Sequence, residues 1–199
     1  MGRIIAKRIR GMNWMAKVSL ILIFTVFLSI YLFSPDEAAA ATYYSRVTGN
    51  WNANATWSTA ACAGAAAAAF PVAGDTVTIC SGNTVTLAVA AAATNLTITS
   101  GTLAGAGFAV TLTGNYTNNG THSGTAGATL SGAAMTIDGT GLVTNTGTFT
   151  ISGTKTIAAT ANLTFSGIVT CSAAVTNNGI VTITNTGAGR LAGASSWTQ

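Results

Sequence analysis

The chain has 199 residues, of which 49% are hydrophobic and only 6% are charged, and it contains 23 glycines. A length near 200 residues favours one domain, with or without a targeting segment. The charged fraction is far below the ~25% of ordinary globular proteins. Disordered chains are usually charged and poor in apolar residues, so the composition also fits a disordered chain poorly.

The positive charge is concentrated at the N-terminus. The formal net charge is +4, but five of the eight basic residues lie within the first 17 positions. From residue 42 onward three basic residues face only two acidic ones, Asp75 and Asp138, which leaves a net charge of +1. Phosphate recognition needs clustered Lys and Arg side chains. We therefore expect no nucleic-acid partner.

Residues 1–41 are predicted to be a secretory signal peptide with a helical apolar part. A basic segment ends at Lys17, a continuous apolar run covers residues 18–33, and alanines occupy positions 38–41. This order of basic, apolar and small-residue parts is typical of a signal peptide. The alternative is an uncleaved membrane anchor, although 16 apolar residues are slightly fewer than the ~20 of a membrane span. The sequence thus predicts a secreted or cell-surface protein that contacts a membrane only through this segment.

Residues 42–75 are predicted to form an N-terminal cap segment. It contains Trp51 and Trp57 and a five-alanine stretch at 65–69 that suits one helical turn or a loop. The two indoles are candidates for sealing the open end of a core or for stacking on sugars.

Three cysteines leave the disulfide pattern open. Cys62 and Cys80 are 18 residues apart, and a bond between them would stabilise the fold by about 3 kcal/mol in the chain-entropy model. It would also attach the alanine-rich loop to the next segment. The alternative is three unpaired, buried thiols, with Cys171 as a small core or turn residue.

Residues 76–199 alternate apolar residues with threonine. The pattern is seen in TVTI at 76–79, TVTL at 84–87, LTI at 96–98, VTL at 110–112, MTI at 135–137, FTI at 149–151, LTF at 163–165 and VTI at 181–183. Alternation over four to six residues predicts half-buried strands, and threonine suits the outer face of a strand. Glycine, asparagine and serine separate the runs as turn residues do.

An Asn-x-Gly turn motif recurs in this segment. Its members are Asn118 with Gly120, Asn145 with Gly147, Asn177 with Gly179 and Asn185 with Gly187. The first three glycines follow one another at intervals of roughly 30 residues, a spacing typical of solenoids. Asparagines at such turns are expected to stack amide on amide, and the glycines to adopt positive φ.

The predicted fold is therefore all-β, a right-handed single-stranded parallel β-helix whose inward aliphatic side chains stack from coil to coil. A β-sandwich with similar turns is the alternative, but it shows a turn signal every ~10 residues without a long period. Because the chain ends at Gln199 without an evident cap, the sequence is expected to be truncated at its C-terminus.

The N-terminal part of this region also resembles a known family. Residues 45–52 read SRVTGNWN, residues 55–58 read ATWS, and residues 71–79 read PVAGDTVTI. These blocks resemble the G8-like opening of secreted bacterial cell-surface, adhesin-like proteins with right-handed β-helical repeats. The resemblance implies a cap around the tryptophans and contacts with carbohydrate, matrix or other surface proteins.

Three classes of function follow. The leading hypothesis is a structural or adhesive surface protein without enzymatic activity, cofactor or metal. A polysaccharide lyase or hydrolase would need paired carboxylates or acidic Ca²⁺ ligands, and only Asp75 and Asp138 are available beside the lone His122. A Thr-rich solenoid that binds ice or another ordered surface is the third class, and it requires the Thr-x-Thr pairs to share one face. The pairs are 76/78, 84/86, 97/99, 111/113, 148/150 and 182/184.

Overall fold

The computed structural model describes residues 13–15, 18–19, 22–23, 39–185, 191–192 and 197–198. The chain divides into two compact units, Met1–Ala39 and Ala40–Gln199. Six described residues before position 39 have helical backbone geometry, and the rest of the predicted signal helix lies outside the described residues. No helix in the described part of the chain is long and apolar enough to cross a membrane. Cleavage or anchoring of residues 1–41 stays a prediction.

Short strands joined by tight turns build the second unit. The cap contains β1 (Thr42–Ser45), β2 (Gly49–Asn50), a 3₁₀ turn (Asn54–Thr56) and β3 (Trp57–Ser58). Coils 1 and 2 contain β4 (Thr76–Ile79), β5 (Thr84–Thr86), β6 (Ala91–Ala93), β7 (Asn95–Ile98), β8 (Thr102–Ala104) and β9 (Val110–Leu112). Coils 3 and 4 contain β10 (Tyr116–Asn118), β11 (Thr121–Ser123), β12 (Ala128–Leu130), β13 (Ala134–Asp138), β14 (Leu142–Val143) and β15 (Phe149–Ile151). Coils 5 and 6 contain β16 (Thr154–Ile157), β17 (Asn162–Phe165), β18 (Val169–Cys171), β19 (Val175–Asn177), β20 (Ile180–Ile183) and β21 (Leu191–Ala192), and β22 (Trp197–Thr198) follows them.

Each coil contributes one strand to each of three parallel sheets. Sheet A has the order β22-β19-β16-β13-β10-β7-β4-β1-β3, sheet B the order β2-β5-β8-β11-β14-β17-β20, and sheet C the order β21-β18-β15-β12-β9-β6. Except for β3 beside β1, neighbouring strands of a sheet are thus three strands apart along the chain, as a solenoid requires. Among the described strand pairs only β1 with β3 is antiparallel, which rules out the alternative β-sandwich. The hand of the winding stays a prediction from the right-handed crossover preference.

The core is a column of inward side chains that stack in register. On sheet A, Val77 lies beside Leu96 and Leu96 beside Tyr116, and on sheet C, Leu112, Leu130 and Ile151 follow one another. All six of these side chains are buried. The apolar half of each alternating run therefore faces inward and the threonines face outward, as the pattern predicts.

One coil of the solenoid is shorter than the spacing of the Asn-x-Gly glycines. Neighbours in adjacent coils are separated by 19 residues at Thr76 and Asn95, by 20 at Asn95 and Asn115, and by 21 at Asn115 and Thr136. The glycine spacing of roughly 30 residues, which indicated a solenoid, is therefore not the length of one coil. The glycines lie at different corners of the solenoid, because Gly120 and Gly179 follow sheet A strands whereas Gly147 follows a sheet B strand.

Candidate functional site

Two tryptophans close the N-terminal end of the core. Trp51 and Trp57 are 1% and 0% exposed, and their rings cross edge to face with centroids 5.2 Å apart. The Trp57 Nε1–H donates to Trp51 O at 2.6 Å, and the Trp51 Nε1–H donates to Pro71 O at 3.0 Å. Both buried donors thus have acceptors, as buried indoles require. Both rings belong to the buried core, and neither exposes a face on which a sugar could stack.

The cap is attached to the first coils by a disulfide and by side-chain hydrogen bonds. Cys62 and Cys80 form the disulfide, which links the loop after β3 to the end of β4. The Arg46 Nε–H, just after β1, donates at 2.7 Å to the carbonyl oxygen of Gly64, which lies in this loop. The Cys80 N–H donates to Ser45 Oγ at 2.8 Å. Residues 65–69 form a loop rather than a helical turn.

Asp75 holds two backbone segments at the start of coil 1. Its Oδ1 accepts a hydrogen bond from the Ala41 N–H and its Oδ2 one from the Val72 N–H, both at 2.8 Å. The side chain is buried, and burial together with this carboxylate raises the pKa of Tyr43. Both carboxylate oxygens of Asp75 therefore accept hydrogen bonds from backbone N–H groups and hold the local structure.

The two carboxylates of the solenoid are not a pair. Asp138 lies at the end of β13 in coil 4 and accepts hydrogen bonds from the Gly139 N–H and the Thr160 hydroxyl. Three strand spacings of ~4.8 Å place it at least about 14 Å from Asp75, beyond the ~5–9.5 Å that separates glycosidase carboxylates. In residues 39–185 no three His, Cys, Asp or Glu side chains are grouped to hold a metal.

His122 lies inside the core, although the glycines at positions 120 and 124 that flank it are typical of a turn. It is fully buried on β11 between Leu103 and Val143, and Tyr116 Oη lies 3.1 Å from its Nδ1. Its Nε2 has no hydrogen-bond partner. Burial lowers the pKa of His122 to about 4, because the positive form is not solvated there. A buried, neutral imidazole in this position is a core residue.

Lys155 is a second buried polar residue that the sequence reasoning missed. It occupies an inward position of β16, and its Nζ donates to the backbone carbonyls of Gly132, Ser152 and Gly153 at 2.5, 2.5 and 3.0 Å. All three ammonium donors are used, and burial lowers the pKa of the amine. The alternation TKTI at 154–157 does indicate the inward direction, because it places the lysine where other runs have Val or Met.

The predicted Asn-x-Gly turns do not form one amide ladder. Asn118 and Asn177 are buried and accept hydrogen bonds from the Gly120 and Gly179 N–H groups at 3.1 and 3.2 Å. They belong to coils 3 and 6, so their amides do not meet.

The other two members differ from this pair and from each other. Asn145 donates from Nδ2 to Ala126 O at 2.6 Å, and its buried Oδ1 has no partner. Asn185 follows β20, and Gly187 lies outside the described residues.

The glycines of these turns are needed for close approach and not for positive φ. Gly120, Gly147 and Gly179 have no positive φ, contrary to the expectation. A Cβ at Gly120 or Gly179 would overlap backbone oxygens of the preceding coil, and one at Gly147 would lie 2.6 Å from Gly127 N. Neighbouring coils thus pack backbone on backbone at these corners.

A side-chain ladder does occur at another corner, ahead of sheet A. Asn95 Oδ1 accepts from the Asn115 N–H at 2.8 Å, and Asn115 Oδ1 accepts from the Thr136 N–H at 2.9 Å. The Asn95 amide donates to Thr76 Oγ1 at 3.0 Å. The separation of Asn95 and Asn115 by 20 residues is the sequence signal that would have revealed the coil length.

Outward threonines form rows along all three sheets, and the row on sheet B consists of Thr84, Thr102 and Thr121. Thr111, Thr129, Thr150 and Thr170 are aligned on sheet C through four consecutive coils, and Thr136, Thr156 and Thr176 are aligned on sheet A. The Thr-x-Thr pairs are instead divided among the three sheets, since Thr76 lies on sheet A, Thr84 on sheet B and Thr150 on sheet C. The hydroxyl groups of a row are thus regularly spaced because each coil contributes one threonine to the row.

A small apolar cleft lies where sheet C meets the cap. Residues 70–73 and Val89–Ala92 form its walls, and Trp51 contributes to its lining. Phe70, Val72 and Val89 are exposed at 38%, 51% and 41%. Sequence reasoning missed this cleft, because neither segment has an alternating pattern.

Comparisons with known proteins give no relative: no family model matches the chain, and no curated protein and no solved structure is significantly similar to it. The functional argument therefore rests on the geometry of this chain.

Proposed function

We propose that this chain is an exported structural or adhesive protein of the cell surface, of the adhesin-like class that residues 45–58 and 71–79 resemble. The observation that carries the proposal is the combination of a parallel β-solenoid with an almost uncharged, hydroxyl-rich exterior. In residues 39–185 the charged side chains are Arg46, Asp75, Asp138 and Lys155, and two of these, Asp75 and Lys155, are buried. A rod with such a surface suits many weak hydrogen bonds to carbohydrate, matrix or a second copy of the chain.

The rows of threonines on sheets A and C supply the repeated contacts. Strands in a sheet are ~4.8 Å apart, so each row offers hydroxyl groups at a constant interval along the rod. Each hydroxyl both donates and accepts a hydrogen bond. A polymer that lies along the rod can therefore meet several hydroxyls at once, and linked weak contacts add to a useful avidity.

A binding experiment tests this proposal and identifies the face. The full chain is applied to immobilised neutral polysaccharides and to itself, beside a sheet C variant with Thr→Val at positions 111, 129, 150 and 170. Valine keeps the shape and strand preference of threonine and removes the hydroxyl. A second variant with Thr→Val at positions 136, 156 and 176 tests the row on sheet A in the same way. We expect binding to fall by at least about tenfold in one of the two variants, and binding to none of these surfaces would contradict the adhesive function.

Export has a separate test. Residues 1–41 are fused to a reporter enzyme that is active only outside the cytoplasm of a bacterial host, and the N-terminus of the released product is sequenced. A signal peptide predicts reporter activity and a new N-terminus near positions 38–42. An inactive reporter would contradict export, and an active but uncleaved fusion would indicate the membrane anchor.

The second candidate function is binding of ice or another ordered surface. The row of Thr111, Thr129, Thr150 and Thr170 favours it, because four coils in register give the regular spacing that the uneven Thr-x-Thr pairs do not. Thermal hysteresis of the full chain, compared with the sheet C valine variant, decides the matter. Hysteresis that disappears in the variant supports this function, and no hysteresis in the unaltered protein excludes ice as the surface.

A further inference from the structure

Sheet C has an open edge beside the cap. The cap strands extend sheets A and B beyond coil 1, whereas β6 is the terminal strand of sheet C among the described strands. The Ala91 N–H donates to Ala109 O at 3.1 Å, and Ala93 O accepts from the Thr113 N–H at 3.2 Å. Alternate residues of a strand direct their backbone groups to opposite neighbours, so the N–H and C=O of Ala92 point to the side without a strand.

The apolar cleft lies next to this edge. It has a volume of about 180 Å³, and its lining from residues 70–73, Val89–Ala92 and Trp51 carries no charged side chain. Phe70, Val72 and Val89 leave apolar surface open to solvent at its mouth. An uncharged ligand matches this lining, because a charge would lose its hydration here without gaining a partner.

The size of the cleft restricts the ligand further. Sites for drug-sized molecules are ~300–1,000 Å³, and a cavity of ~150 Å³ accommodates a benzene ring. The cleft therefore fits one aromatic or branched aliphatic side chain. A free backbone donor and acceptor beside a pocket for one side chain is the arrangement by which extended peptides add to a sheet.

We propose that β6 and the cleft bind an extended, uncharged peptide segment of a partner protein. The segment pairs with Ala92 as an additional strand of sheet C and inserts one large apolar side chain between Phe70 and Val89. The inference goes beyond the proposed adhesive function, since it uses the end of the solenoid and none of the threonine rows. Peptide binding and polysaccharide binding can therefore succeed or fail independently.

The probe is a fluorescein-labelled, end-capped heptapeptide, Thr-Thr-Val-Phe-Val-Thr-Thr, titrated with the full chain by fluorescence polarisation. We expect saturable binding. Two altered probes test the two components: one has serine in place of the central phenylalanine, and the other has N-methyl groups at the two valines and the phenylalanine. Each should bind at least about tenfold more weakly, because the first cannot fill the cleft and the second cannot donate to the edge.

Protein variants place the peptide on the molecule. Val89→Asp puts a charge at the mouth of the cleft, and Leu142→Asp is the matched control, because the two side chains are 41% and 42% exposed and Leu142 lies on sheet B. Ala92→Pro removes the free N–H of the edge strand. It leaves the hydrogen bonds to β9 in place, and proline is tolerated at such an edge position. We expect binding to fall at least about tenfold in the Val89 and Ala92 variants and to be unchanged in the Leu142 variant.

Several results would overturn the proposal. They are an absence of saturable binding, equal affinity for all three probes, or an equal loss of peptide affinity in the Val89→Asp and Leu142→Asp variants.

Sedimentation of the full chain tests whether a second copy of the chain occupies the edge instead of a peptide. A dimer that Val89→Asp converts to a monomer would show that a second copy covers the edge, and it would overturn the peptide as the ligand.

Discussion

At the scale of single residues, the core contains polar groups that an aliphatic column would lack. His122 is buried beside Tyr116 and Phe149, with ring centroids 6.0 and 6.4 Å away, and Phe149 packs on Phe165 at 5.0 Å. The groups that face the imidazole are the Tyr116 hydroxyl and apolar side chains, and the described acidic residues lie elsewhere. A proton added to His122 is therefore not compensated.

The stability of the solenoid should fall as the pH falls through the range of His122. The pKa is lowered from 6.5 to about 4 in the folded protein, so between these values the unfolded chain binds the proton more strongly and unfolding is favoured. We expect a loss of about 2.5 kcal/mol in the free energy of unfolding between pH 7.5 and pH 4.5, measured by urea denaturation.

The matched variant for this measurement is His122→Gln, which keeps a polar side chain and does not ionise. Its free energy of unfolding should change much less over the same pH interval. An identical pH dependence in the two proteins would show that other groups, such as the carboxylates, cause the effect.

The two solenoid aspartates should differ in importance. Asp75→Asn is expected to destabilise the fold by about 2 kcal/mol, because an amide cannot accept hydrogen bonds at both positions and a partly buried N–H loses its partner. Asp138→Asn should cost less than about 1 kcal/mol, since its side chain is only half-buried. Thermal unfolding of both variants measures the difference, and a larger effect at Asp138 would contradict the role assigned to Asp75.

At the scale of elements, alternation predicted strands correctly wherever apolar and polar residues contrast. Seven of the eight alternating runs lie entirely in strands, for example 76–79 in β4 and 163–165 in β17, and the run 84–87 extends one residue beyond β5. The Ala91–Ala93 strand was not predicted, because three alanines give no contrast between faces. The coil length was also not predicted, because similar Asn-x-Gly turns occur at two different corners.

The link between the cap and coil 1 should depend on the disulfide of Cys62 and Cys80. The double variant Cys62→Ala with Cys80→Ala is expected to lose about 3 kcal/mol in the free energy of unfolding. A reducing agent should lower the unfolding midpoint of the unaltered protein and leave that of the double variant unchanged. Equal sensitivity of both proteins to reductant would place the effect elsewhere.

At the scale of the whole molecule, the solenoid separates an apolar column from an exterior of hydroxyl and amide groups. Backbone hydrogen bonds between coils and the stacked interior hold it together, so the surface needs few charges. This separation explains how the solenoid is held together although only 6% of the residues of the chain are charged.

Binding through such an exterior should respond weakly to salt. We expect the affinity for a neutral polysaccharide to change less than about twofold between 50 and 500 mM NaCl, because screening acts only on charge contacts. Surface plasmon resonance at the two salt concentrations measures this. A loss of about tenfold at high salt would assign the binding to charged groups such as Arg46 or the basic residues before position 18.

The sequence by itself determined the class of fold, the inward and outward directions of the alternating residues and the low number of charged residues, because each depends on local pattern or on composition. Only the tertiary structure decided the length of the coil, the burial of His122 and Lys155, the rows of threonines and the open edge at β6. These features depend on which residues of successive coils become neighbours. That register is set by the lengths of the turns and the packing between coils, which no single stretch of sequence encodes.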